Sequence, residues 1–271
     1  MKKIYILLMA TCMLLNAGYI KESVEAHKKG DHKKVANIYQ KACDDGKASA
    51  CYNLGILYMG SKGIKKDTKK ALKFYKEACD ADFVSACYNL ALVYSVGDVV
   101  KKDMKKAIKL YKKACDKNDG SACNNLGMLF KADKDYKKAV DYYRMSCSSF
   151  DDVGCSNLAF MYANGDGVKK NYKEALKLYE KACKRGVGMA CSNLGTMHEN
   201  ANGTGKDYKK ASVLYKKACD AKYARGCNNL GILHVKGKVA KKIDLKKAKE
   251  LFKKACDLGF KLGCENLKLL K

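Results

Sequence analysis

The sequence has no proline and no tryptophan, only four histidines, and 28 acidic residues against 55 lysines and arginines. Each shortage excludes something. Without proline, nothing breaks a helix interior, which favours long stretches of α-helix. No alternating apolar–polar run exceeds a few residues, so a half-buried strand has no support. Four histidines that do not cluster give a zinc centre little to work with, because such sites usually draw on histidine or on closely spaced cysteines. The shortage of acid leaves a formal net charge of +27, which points towards anionic partners.

What is abundant is cysteine, with 15 residues. Cys12 lies in an N-terminal segment that reads as a signal peptide. Lys2 and Lys3 form a positive start, Ile4 to Leu15 an apolar stretch of 12 residues, and Asn16-Ala17-Gly18 a cleavage region, with the cut expected near Ala17. An apolar run of that length is too short to span a bilayer, which needs about 20 residues. Residues 1–17 are therefore expected to be removed, leaving no transmembrane segment in 18–271. Lipidation at Cys12 is a weaker alternative, since Met9-Ala10-Thr11 makes a poor recognition sequence. Export would place the chain in the periplasm or outside the cell, where disulfides persist, and cleavage would leave an even 14 cysteines, the parity of a disulfide framework.

Those cysteines fall in seven pairs, Cys43/Cys51, Cys79/Cys87, Cys115/Cys123, Cys147/Cys155, Cys183/Cys191, Cys219/Cys227 and Cys256/Cys264, all with seven intervening residues. The pairs recur every 36 residues, with one step of 32 and one of 37. A period of this length indicates stacked helical hairpins. Four residues before each first cysteine stands an aromatic (Tyr39, Tyr75, Tyr111, Tyr143, Tyr179, Tyr215, Phe252), and eight before it Val35 or an alanine. Offsets of four and eight share one helix face. Three residues after each second cysteine comes Leu54, Leu90, Leu126, Leu158, Leu194, Leu230 or Leu267, which starts a second helix. Between helices lie glycine-bearing loops ending at residues such as Asp67 and Asp103, suited to cap the next helix. The loop at Lys131–Asp135 is short, which accounts for the 32-residue step. Residues 18–46 read as an atypical first repeat and Phe260–Lys271 as a lone terminal helix, as expected of solenoid ends.

Each first cysteine is thus expected in the last turn of one helix and its partner in the first turns of the next, close enough for a disulfide. Bound metal is the competing reading, but zinc prefers shorter cysteine spacings. We therefore expect seven disulfides and no metal site. His198 and His234 occupy the repeat position held elsewhere by Tyr58, Tyr94, Phe130 and Tyr162, which favours core packing, and His27 and His32 share a helix face only loosely.

One polar position repeats without exception. Two residues after every second cysteine stands asparagine: Asn53, Asn89, Asn125, Asn157, Asn193, Asn229 and Asn266. An amide offers two donors and an acceptor, so the row can fix helix stacking, line a groove that pairs with the backbone of an extended peptide, or do both. Asn53, Asn89, Asn125, Asn157, Asn193 and Asn229 are the candidate ligand-binding residues. Asn266, on the terminal helix, is the weakest member. Lysine pairs such as Lys65-Lys66, Lys105-Lys106, Lys209-Lys210 and Lys246-Lys247 recur with the repeat, as a solvated face or as a stripe for anionic envelope or host surfaces. Nucleic acid is not expected, since no aromatics interleave the lysines for base stacking.

The segment Cys51-Tyr-Asn-Leu-Gly-Ile-Leu-Tyr58, followed by a glycine-bearing loop and Lys-Lys-Ala71-Leu-Lys-Phe-Tyr75-Lys-Glu-Ala-Cys79-Asp, resembles the Sel1-like repeat, a relative of the TPR motif. With one cysteine pair per repeat, the chain resembles the Helicobacter cysteine-rich proteins across residues 18–271. The resemblance implies an all-α fold, a right-handed α/α solenoid of about seven hairpins with a C-terminal capping helix and a concave groove. It also implies secretion or periplasmic residence and penicillin binding with weak β-lactamase activity; together with the asparagine row, the expected ligands are a peptide, a peptidoglycan fragment or a β-lactam, and no cofactor is expected. Envelope or host proteins are further partners it suggests. The residues leave enzymatic activity open: no serine has lysine three positions on, and neither Ser-Asp-Asn nor Lys-Thr-Gly occurs. Ser156 and Ser192, each between Cys and Asn, are the least poor nucleophiles. A non-enzymatic interaction scaffold is the alternative.

Overall fold

A computed structural model describes residues 18–60, 63–239 and 241–270. The segment read as a signal peptide, with Cys12, lies outside the described residues. All described regular structure is helical, with no strand among the described residues. The chain divides into two compact units, the first ending at Asp119 and the second beginning at Gly120.

The first unit holds α1 (18–28), α2 (His32–Asp44), α3 (Ala48–Gly60), α4 (Thr68–Asp80), α5 (Val84–Val96) and α6 (Met104–Cys115). The second holds α7 (Gly120–Ala132), α8 (Tyr136–Ser148), α9 (Asp152–Asn164), α10 (Tyr172–Lys184) and α11 (Gly188–Asn200). It continues through α12 (Tyr208–Asp220), α13 (Ala224–Val235), α14 (Leu245–Asp257) and α15 (Lys261–Leu269). Even-numbered helices from α2 to α14 carry the first cysteine of a pair, and odd-numbered ones from α3 to α15 the second.

The two helix types form for different reasons. The even helices are amphipathic. In α4, Ala71, Phe74, Tyr75, Ala78 and Cys79 are buried, the three–four spacing of a single face. Each starts on a side-chain cap: Asp31, Asp67, Asp103, Asp135, Asn171, Asp207 and Asp244 each accept the backbone N–H three residues on. Asp67 and Asp103 cap as their positions suggested. Within each unit, the odd helices α3, α5, α9, α11 and α13 are apolar on more than one side because they pack between even neighbours, as in α5, where Ala86, Cys87, Leu90, Ala91 and Val93 are buried. The short turn before α8 is also found, with α7 ending at Ala132 and Asp135 capping α8.

Every even-to-odd connection bends the same way. The third residue after each first cysteine takes positive φ: Gly46, Asp82, Asn118, Phe150, Gly186, Lys222 and Gly259. In these turns the next N–H returns to the carbonyl of the residue before the cysteine, as in Phe83 to Ala78 (2.9 Å) and Val187 to Ala182 (3.1 Å). This left-handed helix ending reverses the chain in few residues and places the paired cysteines side by side. Their Cα atoms lie 4.7 Å apart in Cys43–Cys51 and 4.4 Å apart in Cys147–Cys155, within disulfide range. Cys79–Cys87, Cys183–Cys191, Cys219–Cys227 and Cys256–Cys264 are bonded alike, and Cys115 and Cys123 are both disulfide-bonded.

The odd-to-even packing relies on small residues. A Cβ on Gly127 would fall 2.5 Å from the Tyr143 ring, and one on Gly195 would fall 2.7 Å from the Tyr215 ring. The glycine lets the buried tyrosine of the following even helix lie flat against the odd helix. In the second unit Tyr143, Tyr179 and Tyr215, each at most 2% exposed, form the spine of the core with Ala139, Ala175 and Ala211.

Candidate functional site

The asparagine positions all fall in the second turn of the odd helices, and all seven are half-buried. Leu54, Leu126, Leu158 and Leu194, one residue further on, point into the core. The amides are engaged on their inner side. Asn89 donates through Nδ2 to the Tyr52 hydroxyl of α3 at 3.2 Å, Asn157 to Oδ1 of Asn124 on α7 at 2.8 Å, and Asn266 to Oδ1 of Asn228 on α13 at 2.8 Å. Asn193 donates instead to the Tyr179 hydroxyl of α10 at 3.2 Å. Asn89 and Asn229 also hydrogen-bond the phenols of Tyr75 and Tyr215.

The residue just before each asparagine decides the pattern. At Tyr52, Asn124 and Asn228 it reaches the asparagine of the next odd helix. Where it is serine, at Ser156 and Ser192, the side chain is too short, and both hydroxyls are fully buried without a partner. Sequence reasoning missed this relay because the preceding residue varies. The signal was its chemistry, which alternates between groups that can and cannot span two helices. The same burial removes Ser156 and Ser192 as nucleophiles, since each is 0% exposed and offers no hydroxyl to a substrate.

His198 is 8% exposed, and its Nδ1 lies 3.4 Å from the Thr204 hydroxyl. It is packed as its repeat position suggested, while His234 is half-buried. His27 and His32 meet edge to face with ring centroids 5.6 Å apart. Among the described residues the one cluster of metal-type donors is Cys43, Cys51 and Glu77, and both its sulfurs are in a disulfide.

Lys105-Lys106, Lys209-Lys210 and Lys246-Lys247 lie at the starts of even helices and Lys65-Lys66 in the loop before α4, and several heads are held locally. Lys106 lies 3.2 Å from the Asp103 carboxylate and 5.3 Å from the Tyr94 ring centre; Lys138 lies 2.8 Å from Asp135 and 5.2 Å from the Phe130 ring. Backbone and lysine N–H donors lower the pKa of these carboxylates.

The Sel1 repeat profile matches residues 48–83, 84–119, 120–149, 153–187, 188–223 and 224–260. The chain belongs to the Sel1 repeat family. Each Sel1 repeat pairs an odd helix with the following even one, so a bridge such as Cys79–Cys87 joins two successive Sel1 repeats rather than the halves of one. Six Sel1 repeats are matched; α1–α2 and α15 lie outside them.

Solved structures agree on the repeat. A protective antigen present in uropathogenic Escherichia coli strains and displaying an SLR fold is 26% identical, with a TM-score of 0.75, over 88% of this chain and 52% of that one. The chain therefore spans about half of that antigen. A Sel1 repeat protein from Oxalobacter formigenes is 24% identical, with a TM-score of 0.79, over 88% of this chain and 96% of that one. Helicobacter pylori cysteine-rich protein B is 30% identical over 62% of this chain and 98% of that one, with a TM-score of 0.36. No curated protein sequence matches the chain.

Proposed function

We propose that the chain is an exported interaction scaffold, and that the asparagine row of its Sel1 repeats holds an extended peptide segment of a partner protein. Residues 1–17 act as the signal peptide, and 18–271 is the exported chain, secreted or periplasmic. The disulfides fit such an oxidising compartment.

One observation carries the binding reading: the amides are pinned from behind. Asn157 and Asn193 each commit one N–H to a neighbouring side chain and remain half-exposed. An amide carries two N–H groups and an acceptor oxygen, so each retains capacity to pair with a peptide backbone. Because the amide is already oriented, less side-chain entropy is lost on binding. Recognition through backbone groups would tolerate varied partner sequences, with specificity supplied by flanking residues. The β-lactam or peptidoglycan ligand implied by resemblance would use the same amides, as carbonyl acceptors and donors, without a nucleophile.

The test is a random peptide display library selected on oxidised full-length protein, followed by binding of an enriched peptide to the Asn125→Ala/Asn157→Ala/Asn193→Ala variant. Loss of about tenfold or more in affinity is expected. Unchanged affinity together with a lowered melting temperature would assign the row to stacking alone and overturn the proposal. Incubation of the same preparation with nitrocefin separates this reading from hydrolysis, since catalytic turnover would contradict a scaffold.

A further inference from the structure

Between α10 and α12, with α11 as its floor, the second unit carries a cleft of about 600 Å³. None of the asparagine row lines it. Its apolar surface comes from Leu194, Leu214 and Val213, the last of which is 51% exposed. Four lysines surround it, Lys184, Lys209, Lys210 and Lys217, against Glu180 and Asp207. Among the described residues none of the four lysine heads lies in a salt bridge or over an aromatic ring. The Asp207 carboxylate is used as the α12 cap, accepting the Lys210 backbone N–H at 2.8 Å.

The repeat shows why this position is unusual. Three residues after the cap, the equivalents of Lys210 include Lys34, which pairs with Glu22 at 3.9 Å, Glu174, Lys247, and the three lysines Lys70, Lys106 and Lys138. These last three lie 5.2–5.3 Å from the centre of an aromatic ring, Tyr58, Tyr94 or Phe130 respectively, and Lys106 and Lys138 also pair with the preceding cap carboxylate. In the 188–223 repeat the aromatic is replaced by His198, whose Nδ1 turns to Thr204. The lysine loses its ring, and its head is left over the cleft. One repeat further on, a cleft of about 510 Å³ between α12 and α14 has the same construction, with Lys216, Lys247 and Lys254 on its rim. There the charges are internally paired: Lys216 with Asp220 at 2.7 Å, Lys247 with Glu250 at 2.7 Å, and Lys254 with Asp220 at 4.0 Å.

From the four unpaired lysines around an apolar floor, we infer that the α10–α12 cleft is a second docking site, for a short acidic peptide segment that carries one bulky aliphatic side chain. The aliphatic group lies against Leu194, Val213 and Leu214, and flanking carboxylates meet Lys184 on one side and Lys209, Lys210 and Lys217 on the other. The lysines ring a depression rather than forming a flat face, which suits a protruding peptide side chain better than a membrane surface. Charge complementarity of this kind sets specificity and association rate.

The probe is a capped pentapeptide, Glu-Asp-Leu-Asp-Glu, titrated into oxidised full-length protein by isothermal calorimetry. Two double variants carry the same change in net charge: Lys210→Glu/Lys217→Glu in this cleft, and Lys247→Glu/Lys254→Glu in the paired one. The first is expected to weaken binding by about tenfold or more and the second to leave it near the original value. Changing the peptide leucine to glycine weakens it as well. Equal losses in both double variants would mean diffuse attraction to a basic protein and would overturn the site. So would absence of peptide binding alongside Lys210-dependent binding to phosphatidylglycerol vesicles. The Asn125→Ala/Asn157→Ala/Asn193→Ala variant should bind the pentapeptide normally, so the two binding readings fail or stand separately.

Discussion

Tyr75, Tyr143, Tyr179 and Tyr215 occupy the same position on α4, α8, α10 and α12, with their phenols among the buried groups of the core. Burial disfavours the phenolate and pushes Tyr75 and Tyr143 up to about 12. At Tyr75 the nearby Tyr52 adds to this and the Asn89 hydrogen bond opposes it. Tyr179 and Tyr215 are raised further, chiefly by burial; the Asn193 bond works against the rise at Tyr179, while at Tyr215 the Glu199 carboxylate that accepts its proton at 2.7 Å reinforces it. The sign of the linkage follows. The folded chain holds these protons more tightly than the unfolded chain, whose phenols titrate near 10. The stabilisation is complete below pH 10 and is lost as the pH climbs from there through 12 and beyond. An alkaline titration followed at 295 nm should therefore show exposed tyrosines ionising first. Tyr75, Tyr143, Tyr179 and Tyr215 should ionise together with the loss of helical circular dichroism. Ionisation of all tyrosines near pH 10 with the helices intact would contradict this burial.

At the scale of the helix pair, the seven connections use one backbone conformation filled by unequal residues. Gly46, Gly186 and Gly259 suit positive φ, and Asn118 tolerates it, but Phe150 and Lys222 hold it at 62° and 59° with ordinary side chains. A bulky residue in the left-handed region is strained by roughly 1–2 kcal/mol, and Phe150 recovers little by packing, being 80% exposed. Phe150→Gly is expected to raise stability by about 0.5–1 kcal/mol after the entropy cost of glycine is deducted. Urea unfolding with an unchanged m-value measures it, and a lowered midpoint would count against strain at this turn. Much of this element-level architecture was legible beforehand. Cysteine spacing gave the turns, the Tyr–Ala–Cys offsets gave the even-helix face, and Asp67 and Asp103 announced their caps. The left-handed turn residue was not legible, because Gly, Asp, Asn, Phe and Lys share no chemistry that a periodic pattern would reveal. The amide relay through Tyr52, Asn124 and Asn228 escaped for a similar reason: it joins side chains more than thirty residues apart, and nothing local marks which will reach. The α10–α12 cleft escaped because it depends on one histidine in place of an aromatic, which by pattern alone reads as core.

Along the whole molecule the disulfides recur at a fixed register, yet they are not equally protected. The cysteines from Cys43 to Cys227 are at most 8% exposed, whereas Cys256 and Cys264 are both half-buried. The reason is local: α15 runs for only nine residues, and among the described residues no later helix covers the bridge that ties it to α14. Thiol–disulfide exchange requires a thiolate to approach a sulfur in line, and its rate follows access as well as thiol chemistry. Limited treatment of the native protein with dithiothreitol, quenched by iodoacetamide and mapped by mass spectrometry, should therefore label Cys256 and Cys264 before any other pair. Each bridge spans a separation of eight residues, and closing so short a loop stabilises by about 2.5 kcal/mol in the chain-entropy model. For the terminal pair that contribution bears mainly on α15, so its reduction should release α15 while most helical signal persists. Loss of an inner pair such as Cys183–Cys191 removes a tie between two packed Sel1 repeats and should lower the thermal midpoint more, which the Cys183→Ala/Cys191→Ala and Cys256→Ala/Cys264→Ala variants compare directly. Prior labelling of an inner pair, or equal destabilisation by the two variants, would show that protection does not follow coverage by the next repeat.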